Sequence, residues 1–197
     1  MKEMKLKELV KEAFLGVTVR PPKDPDAPVF EVVNIKDLHD GRVEVTSLEK
    51  REIPSGRDLK AATIKVGDVL VAIKGSQFKA AVVDNDSEGR IISSNLISLR
   101  LDTSKAIPHV VAAFLNSPEG QHKLGVKSKG TVIPSIGKIE LLGITIPIPP
   151  IEQQLALRDY LESVQAYLTN LRREEQIVRN IRDYVIFQRM RENNEFN

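Results

Sequence analysis

Gly143-Ile-Thr-Ile-Pro-Ile-Pro-Pro-Ile-Glu-Gln-Gln154 decides how this chain is read, because beyond Pro150 there is neither glycine nor proline. Paired prolines cannot lie inside a helix or a central strand. They suit an extended exit into a first helical turn, where Glu152 meets the positive end of the helix dipole. The stretch therefore separates a globular head, residues 1–150, from a helical arm, residues 151–197.

Working outward into the arm, Leu157, Tyr160, Val164, Tyr167, Leu171, Glu174, Val178, Ile181 and Val185 alternate spacings of three and four, and eight of these nine positions are apolar. A 40-residue helix would run about 60 Å, and a stripe of that length has to be covered by another helix. Leu161 and Leu168 widen it beyond a minimal two-helix seam. A hairpin near Asn170 or Asn180 would provide an intramolecular partner. The lack of glycine and proline instead favours one continuous helix paired with a second chain, with an antiparallel homodimer as the expected arrangement. Glu174 then acts as a register device or lies at an exposed edge.

A head of about 150 residues can bury roughly 68–70% of its unfolded surface, enough for its own core. Hydrophobic residues at 41% and charged residues at 28% describe an ordinary globular chain, and no apolar run reaches a bilayer-spanning length. The N-terminus lacks a secretory signal pattern, so a cytoplasmic protein without a membrane anchor is expected. With no cysteine, disulfides, thiol catalysis and cysteine-ligated zinc are excluded; only His39, His109 and His122 offer imidazole, so no metal site is expected. Residues 1–150 carry 22 Lys/Arg against 19 Asp/Glu, and residues 151–197 carry 7 against 8. A mildly basic head permits nucleic-acid binding through a local patch.

Within the head, Leu6, Leu9, Val10, Ala13 and Phe14 share one face at helical spacing, predicting an amphipathic helix stopped by Gly16. Val29–Ile35 and Arg42–Leu48, either side of Asp40-Gly41, read as a hairpin or two nearby strands. Val66-Gly-Asp-Val-Leu-Val-Ala-Ile73 places a turn before a buried strand, and Lys74-Gly-Ser-Gln-Phe-Lys79 interrupts it before Ala80–Val83. Ile91–Leu101 resumes strand character. Pro108 starts a helix, Ser117-Pro-Glu-Gly-Gln another turn or two, Lys123–Thr131 is a basic polar segment, and Ser135 is placed to cap a short helix through Leu142. Asp84, Asp86 and Glu88 surround a turn with Asn85 and Gly89, which suits solvated turn residues better than a metal cluster.

Three motifs in order, Val66-Gly-Asp-Val-Leu-Val-Ala-Ile-Lys-Gly75, Gly130-Thr-Val-Ile-Pro-Ser135 and Ile144-Thr-Ile-Pro-Ile-Pro-Pro-Ile-Glu-Gln-Gln154, followed by the long helix, resemble the specificity subunit of type I restriction-modification systems. The amphipathic start and Val32-Val-Asn-Ile-Lys-Asp-Leu38 fit the beginning of a target recognition domain. The resemblance implies an α+β fold: a twisted mixed sheet with flanking helices, then one long coiled-coil helix. Such subunits carry two recognition domains separated by long helices, and this chain has one of each, so it resembles a half-length form. Pairing two copies through their arms would rebuild the twofold symmetry and read an interrupted palindrome in double-stranded DNA.

The resemblance also implies partners: methyltransferase subunits that bind S-adenosylmethionine, and a restriction subunit that hydrolyses ATP. No cofactor is expected on this chain, which lacks a phosphate-binding glycine loop and an adenine-methyltransferase motif. No catalytic residue is assigned. The DNA-binding candidates are Lys74, Ser76, Gln77 and Lys79 in one basic loop, Lys123, Lys127, Lys129 and Thr131 in a second, and Arg20 with Lys23. Lysine and arginine would take phosphates, and Gln77 could pair bidentately with adenine. For any one of them a solvated surface charge is the plainer role; as two groups they stand out from the scattered charges of the arm. The dimer candidates are Leu157, Tyr160, Val164, Tyr167, Leu171, Val178, Ile181 and Val185. Two other readings stay open, a coiled-coil assembly module that reads no DNA and a regulator or decoy of a restriction-modification complex.

Overall fold

A computed structural model describes residues 2–22, 28–54, 59, 62–130 and 132–192. The chain divides into two compact units, Met1–Arg158 and Asp159–Asn197. The first contains strands β1 (Lys2–Lys5), β2 (Val10–Leu15), β3 (Val29–Val33), β4 (Leu38–His39), β5 (Arg42–Val43), β6 (Glu49–Glu52), β7 (Val69–Ala72), β8 (Ala80–Val82), β9 (Ile91–Ile92), β10 (Leu96–Leu101) and β11 (Thr145–Ile148). Its helices are α1 (Leu6–Leu9), α2 (Pro108–Asn116), α3 (Pro118–Lys127) and α4 (Lys138–Leu142). Helix α5 (Ile151–Glu192) starts in the first unit and forms the second.

The main sheet runs β2-β10-β7-β8-β5-β4, antiparallel except where β5 lies parallel to β8. Strand β7 shows why its sequence reads as an unbroken apolar run. Val69 and Val71 point to one face, among Leu6, Leu9, Val111, Leu115, Leu124 and Leu141, while Leu70 and Ala72 point to the other, among Val33, Leu38, Ile64 and Ile92. A strand covered on both faces needs apolar residues at both alternations, and each fully buried leucine contributes about 1.5–3 kcal/mol. A second, three-stranded sheet runs β6-β3-β9, with β3 and β9 parallel. The mixed sheets, flanking helices and long final helix match the α+β expectation.

The Gly67-Asp68 turn ahead of β7 is a folding device. Asp68 is buried, and its carboxylate accepts the Lys65 N–H at 3.0 Å and both Nε and Nη2 of Arg100 at 2.9 Å. Arg100 also donates to Glu12 at 2.9 Å and stacks over Phe14 at 5.0 Å. The network ties the start of β7 across β10 to the edge strand β2. Chiefly through its hydrogen bonds to Asp68, the Arg100 guanidinium is pushed above its ordinary pKa.

Four local expectations are corrected. The helix predicted to run to Gly16 is only one turn, Leu6–Leu9, and the chain then becomes β2. Pairing with β10 satisfies that strand's backbone along Leu15 to Val10, and this tertiary gain overrides helical periodicity. Gly16 is required for a different reason: a Cβ there would lie 2.2 Å from the Ser93 carbonyl oxygen. Asp40-Gly41 does turn a hairpin, but it joins β4 to β5; β3 pairs with β6 and β9 instead. Helix α3 extends over ten residues and takes in Lys123 and Lys127, because Ser117 caps it by accepting the Gly120 N–H and Pro118 opens it. Ser135 does not cap α4, which starts after Gly137; its backbone pairs with other segments.

The proline junction is as expected. Strand β11 pairs with β1, with Lys2 opposite Ile148 and Glu3 opposite Pro147, a register that proline tolerates at a sheet edge. The Pro150 carbonyl accepts the Gln153 and Gln154 N–H groups at 3.0 and 3.1 Å, opening α5. Gln154 is buried. Its Oε1 accepts the Ile107 N–H at 2.8 Å, and its Nε2 donates to the carbonyls of Lys105 and Pro149 at 3.0 and 2.9 Å. One side chain thus satisfies three backbone groups around the helix start. Gln154→Ala is expected to lower the unfolding free energy by about 1–3 kcal/mol, since those groups lose their partner in a dry site; urea denaturation checks this, and an unchanged midpoint would show that water replaces the amide.

Helix α5 is continuous, with no hairpin at Asn170 or Asn180. Along it Leu157, Tyr160, Tyr167, Leu171, Glu174, Val178, Ile181 and Val185 are exposed and Val164 is half-buried; Ile186, Phe187 and Met190 add further exposed apolar surface. Glu175 and Arg179 form an i,i+4 ion pair at 2.6 Å. Among the described residues, no helix is long and apolar enough to cross a membrane.

Candidate nucleic-acid interface

Two basic segments about fifty residues apart in sequence meet in the first unit. Lys74 leaves β7 at an isolated bridge to Ser135, with the Gly75 N–H donating to the Pro134 carbonyl at 3.0 Å and the Ile136 N–H donating to the Ile73 carbonyl at 3.0 Å. The other side of Ser135 pairs with Lys129, N–H to carbonyl in both directions, at 2.7 and 2.8 Å. Backbone at 73–75, 134–136 and 129 therefore lies side by side. Ser135 is the shared middle strand of that ribbon.

The loop between β7 and β8 is held from below. Phe78 is buried in the main core, leaving Ser76 and Gln77 exposed on one side of it and Lys79 half-buried on the other. Two carboxamides grip the backbone like an added strand. Asn116 exchanges two hydrogen bonds with Ala80, both at 2.8 Å, and Gln121 exchanges two with Phe78 at 3.0 and 3.1 Å while also donating to the Leu115 carbonyl at 2.7 Å. Both are residues that sequence reasoning missed. A carboxamide paired with distant backbone leaves no periodicity or spacing to find it by.

The cations divide into committed and available groups. Arg20 is paired with Glu52 through its guanidinium and its backbone, and Lys123 is held by Glu119 at 3.0 Å, by the Thr145 carbonyl at 3.0 Å and over the Phe114 ring at 5.4 Å. Lys74, Lys79 and Lys127 have no ion-pair partner among the described residues. Lys127 sits in the last turn of α3, at the negative end of the helix dipole. Lys129 is highly exposed and reaches Glu140 at 3.4 Å. The Glu140 carboxyl is held below its ordinary range first by a backbone N–H and then by Lys129, with Lys127 adding to the effect. Glu140 therefore belongs to the cluster as its one acidic member among the residues named. Lys23 and Thr131 lie outside the described residues.

Asp84, Asp86 and Glu88 form the solvated turn that the sequence suggests: Asp84 Oδ1 accepts the Ser87 N–H at 3.0 Å and its hydroxyl at 2.6 Å. What the interface offers chemically is a fixed ribbon carrying lysines, a glutamine, a serine and an exposed loop tip. That set can neutralise phosphates and hydrogen-bond to base edges.

No protein-family model matches the chain. Two curated proteins are similar to it. A chain from Methanocaldococcus jannaschii named as the MjaX type I restriction enzyme specificity subunit is 22% identical over 177 residues, covering 88% of this chain and 41% of that protein. The EcoBI type I restriction enzyme specificity subunit of Escherichia coli is 23% identical over 153 residues, covering 78% of this chain and 32% of that protein. This chain thus spans less than half the length of the curated relatives it matches. Among solved structures, the type I restriction-modification S subunit from M. genitalium superposes with a TM-score of 0.61 at 19% identity, over 92% of this chain and 43% of that one. The HsdS subunit from Thermoanaerobacter tengcongensis gives 0.57 at 20% identity, over 89% and 44%. A chain from a structural study of complex assembly and conformational transition of the type I R-M system gives 0.60 at 21%, over 87% and 44%. The fold is that of these subunits, and the sequence resembles theirs along most of the chain.

Proposed function

We propose that this chain is the sequence-reading component of a type I restriction-modification assembly, acting on double-stranded DNA in the cytoplasm and carrying no reaction of its own. Residues 1–150 are the reader and residues 151–197 the spacer and dimerisation helix. The observation that carries the reading is the convergence of backbone at Lys74 and at Lys129 on Ser135, which supports one surface built from the two basic segments. Similarity to the specificity subunits supports two partners for it: a methyltransferase subunit, which would bring S-adenosylmethionine, and a restriction subunit, which would bring ATP hydrolysis. Co-expressing the chain with its genomically neighbouring methyltransferase and mapping modified adenines tests the reading. Methylation at one fixed bipartite sequence is expected, and methylation indifferent to sequence would sink it.

The exposed stripe on α5 supports pairing of two copies through Leu157, Tyr160, Val164, Tyr167, Leu171, Val178, Ile181 and Val185 in an antiparallel homodimer. A twofold pair of identical readers takes two inverted copies of one half-site, so the target is an interrupted palindrome. Glutamate at Leu157, Val164 and Ile181 together places three charges in an apolar seam. Light scattering is expected to show the mass fall from twice 22.0 kDa to 22.0 kDa at micromolar concentration. A wild-type chain already monomeric at that concentration, or an unchanged variant mass, counts against the seam.

A further inference from the structure

The loop joining Lys129 to Ser135 presents an anomaly that neither the core nor the lysines explain. Val132 is 90% exposed and Ile133 65% exposed, two adjacent aliphatic side chains at the tip of a basic surface. Isolated exposed aliphatics are ordinary, but these two are followed directly by backbone pinned at Pro134 and Ser135. The Lys129–Ser135 pair closes the base of the loop, and the Pro134 carbonyl is held by the Gly75 N–H. Gly130 turns the chain at a φ of +95°, and a Cβ on it would lie 2.9 Å from the Ile133 carbonyl oxygen, so position 130 suits only glycine. Both side chains are β-branched, with little rotamer freedom left to lose on contact. The backbone thus spends several hydrogen bonds on holding a stiff apolar point in water.

We propose that Val132 and Ile133 read the 5-methyl group of thymine in the major groove, as specificity-determining residues of the interface. The inference rests on the DNA-reading function proposed above. Its physical content is complementarity: Lys74, Lys127 and Lys129 supply the cationic flank that phosphates require, and the tip supplies the apolar surface that only thymine matches among the base edges of that groove. The lysines bring the surface to any duplex. The tip discriminates among sequences.

The test uses the chain assembled with its methyltransferase and a duplex bearing the methylation-mapped site. Deoxyuridine, which differs from thymidine only by the missing methyl, replaces each thymidine in turn, and affinity is measured for the wild type and for V132A/I133A. Removing a methyl contact is expected to weaken wild-type binding about fourfold at one position or more, and the variant is expected to show less than about a twofold difference there. Because both side chains are exposed, the variant should fold; an unchanged denaturation midpoint confirms it. Uracil that costs nothing at every position, or a uracil penalty equal in wild type and variant, overturns the inference while leaving sequence-specific binding intact. DNA bending lost in the variant without any uracil effect overturns it in favour of a wedge between base steps. A variant that loses the methyltransferase but keeps its DNA discrimination overturns it in favour of a protein contact. Absence of any sequence-specific site removes the functional reading itself, and this inference with it.

Discussion

Asp68→Ala is expected to lower the unfolding free energy by about 3–5 kcal/mol, the range for removing one partner of a buried ion pair. The loss has two parts: the Lys65 N–H and two guanidinium N–H groups lose their acceptor, and Arg100 keeps a charge in a partly desolvated site. Arg100 retains Glu12 and the face of Phe14, which places the effect nearer the lower figure. Asp68→Asn keeps an acceptor but no charge and should lie between wild type and alanine. The double variant D68A/R100M should recover much of the loss, because no charge is then left without its counterion. Guanidinium chloride denaturation measures all three. A loss below about 1 kcal/mol for Asp68→Ala would mean that water solvates Arg100 as well as the carboxylate does.

Replacing Lys74, Lys79, Lys127 and Lys129 together by alanine is expected to weaken DNA binding about a thousandfold at 0.15 M salt, if each contacts one phosphate. The more telling number is the slope of log affinity against log salt, which should become shallower by about 3–4, close to 0.9 per phosphate contact. All four lie on exposed or half-buried loop and helix-end positions, so the fold should survive. A control removes two other lysines, Lys11 and Lys105, whose ammonium groups are bound to Asp102 at 3.5 and 3.2 Å; the salt slope should stay where it is. An intact oligomer that has lost DNA supports a reader. No change in any DNA complex would make the chain an assembly module whose helix does the work.

What the sequence shows and what it hides follow the range of the interactions. Strand β7, helix α2, the proline exit and the unbroken α5 are legible because the residues that cause them are neighbours: a run of apolar residues, Pro108 at a helix start, Pro149-Pro150, and a stretch without breakers. Leu6 to Phe14 misleads for the opposite reason. Its helical spacing is real, but Leu6 and Leu9 use it for one turn and the rest is claimed by β10, about ninety residues away. The same holds for the interface. Lysines at 74, 79, 127 and 129 can be nominated from local composition, yet only the bridges through Ser135 show that the backbone at Lys74 lies beside the backbone at Lys129. Lys123 has the same composition cue and turns out to be held by Glu119 and Thr145. Glycine gives the clearest case of a correct residue with the wrong cause, since Gly16 answers to the Ser93 carbonyl and not to the end of a helix.

Pairing of β1 with β11 has a consequence for inheritance. Lys2 lies opposite Ile148, so the first strand of the unit and the strand that leads into α5 run beside each other. A unit whose two ends are neighbours can be cut from one gene and set into another with little disturbance to whatever flanks it. On the function proposed above, exchange of the segment between those strands would carry the target preference with it.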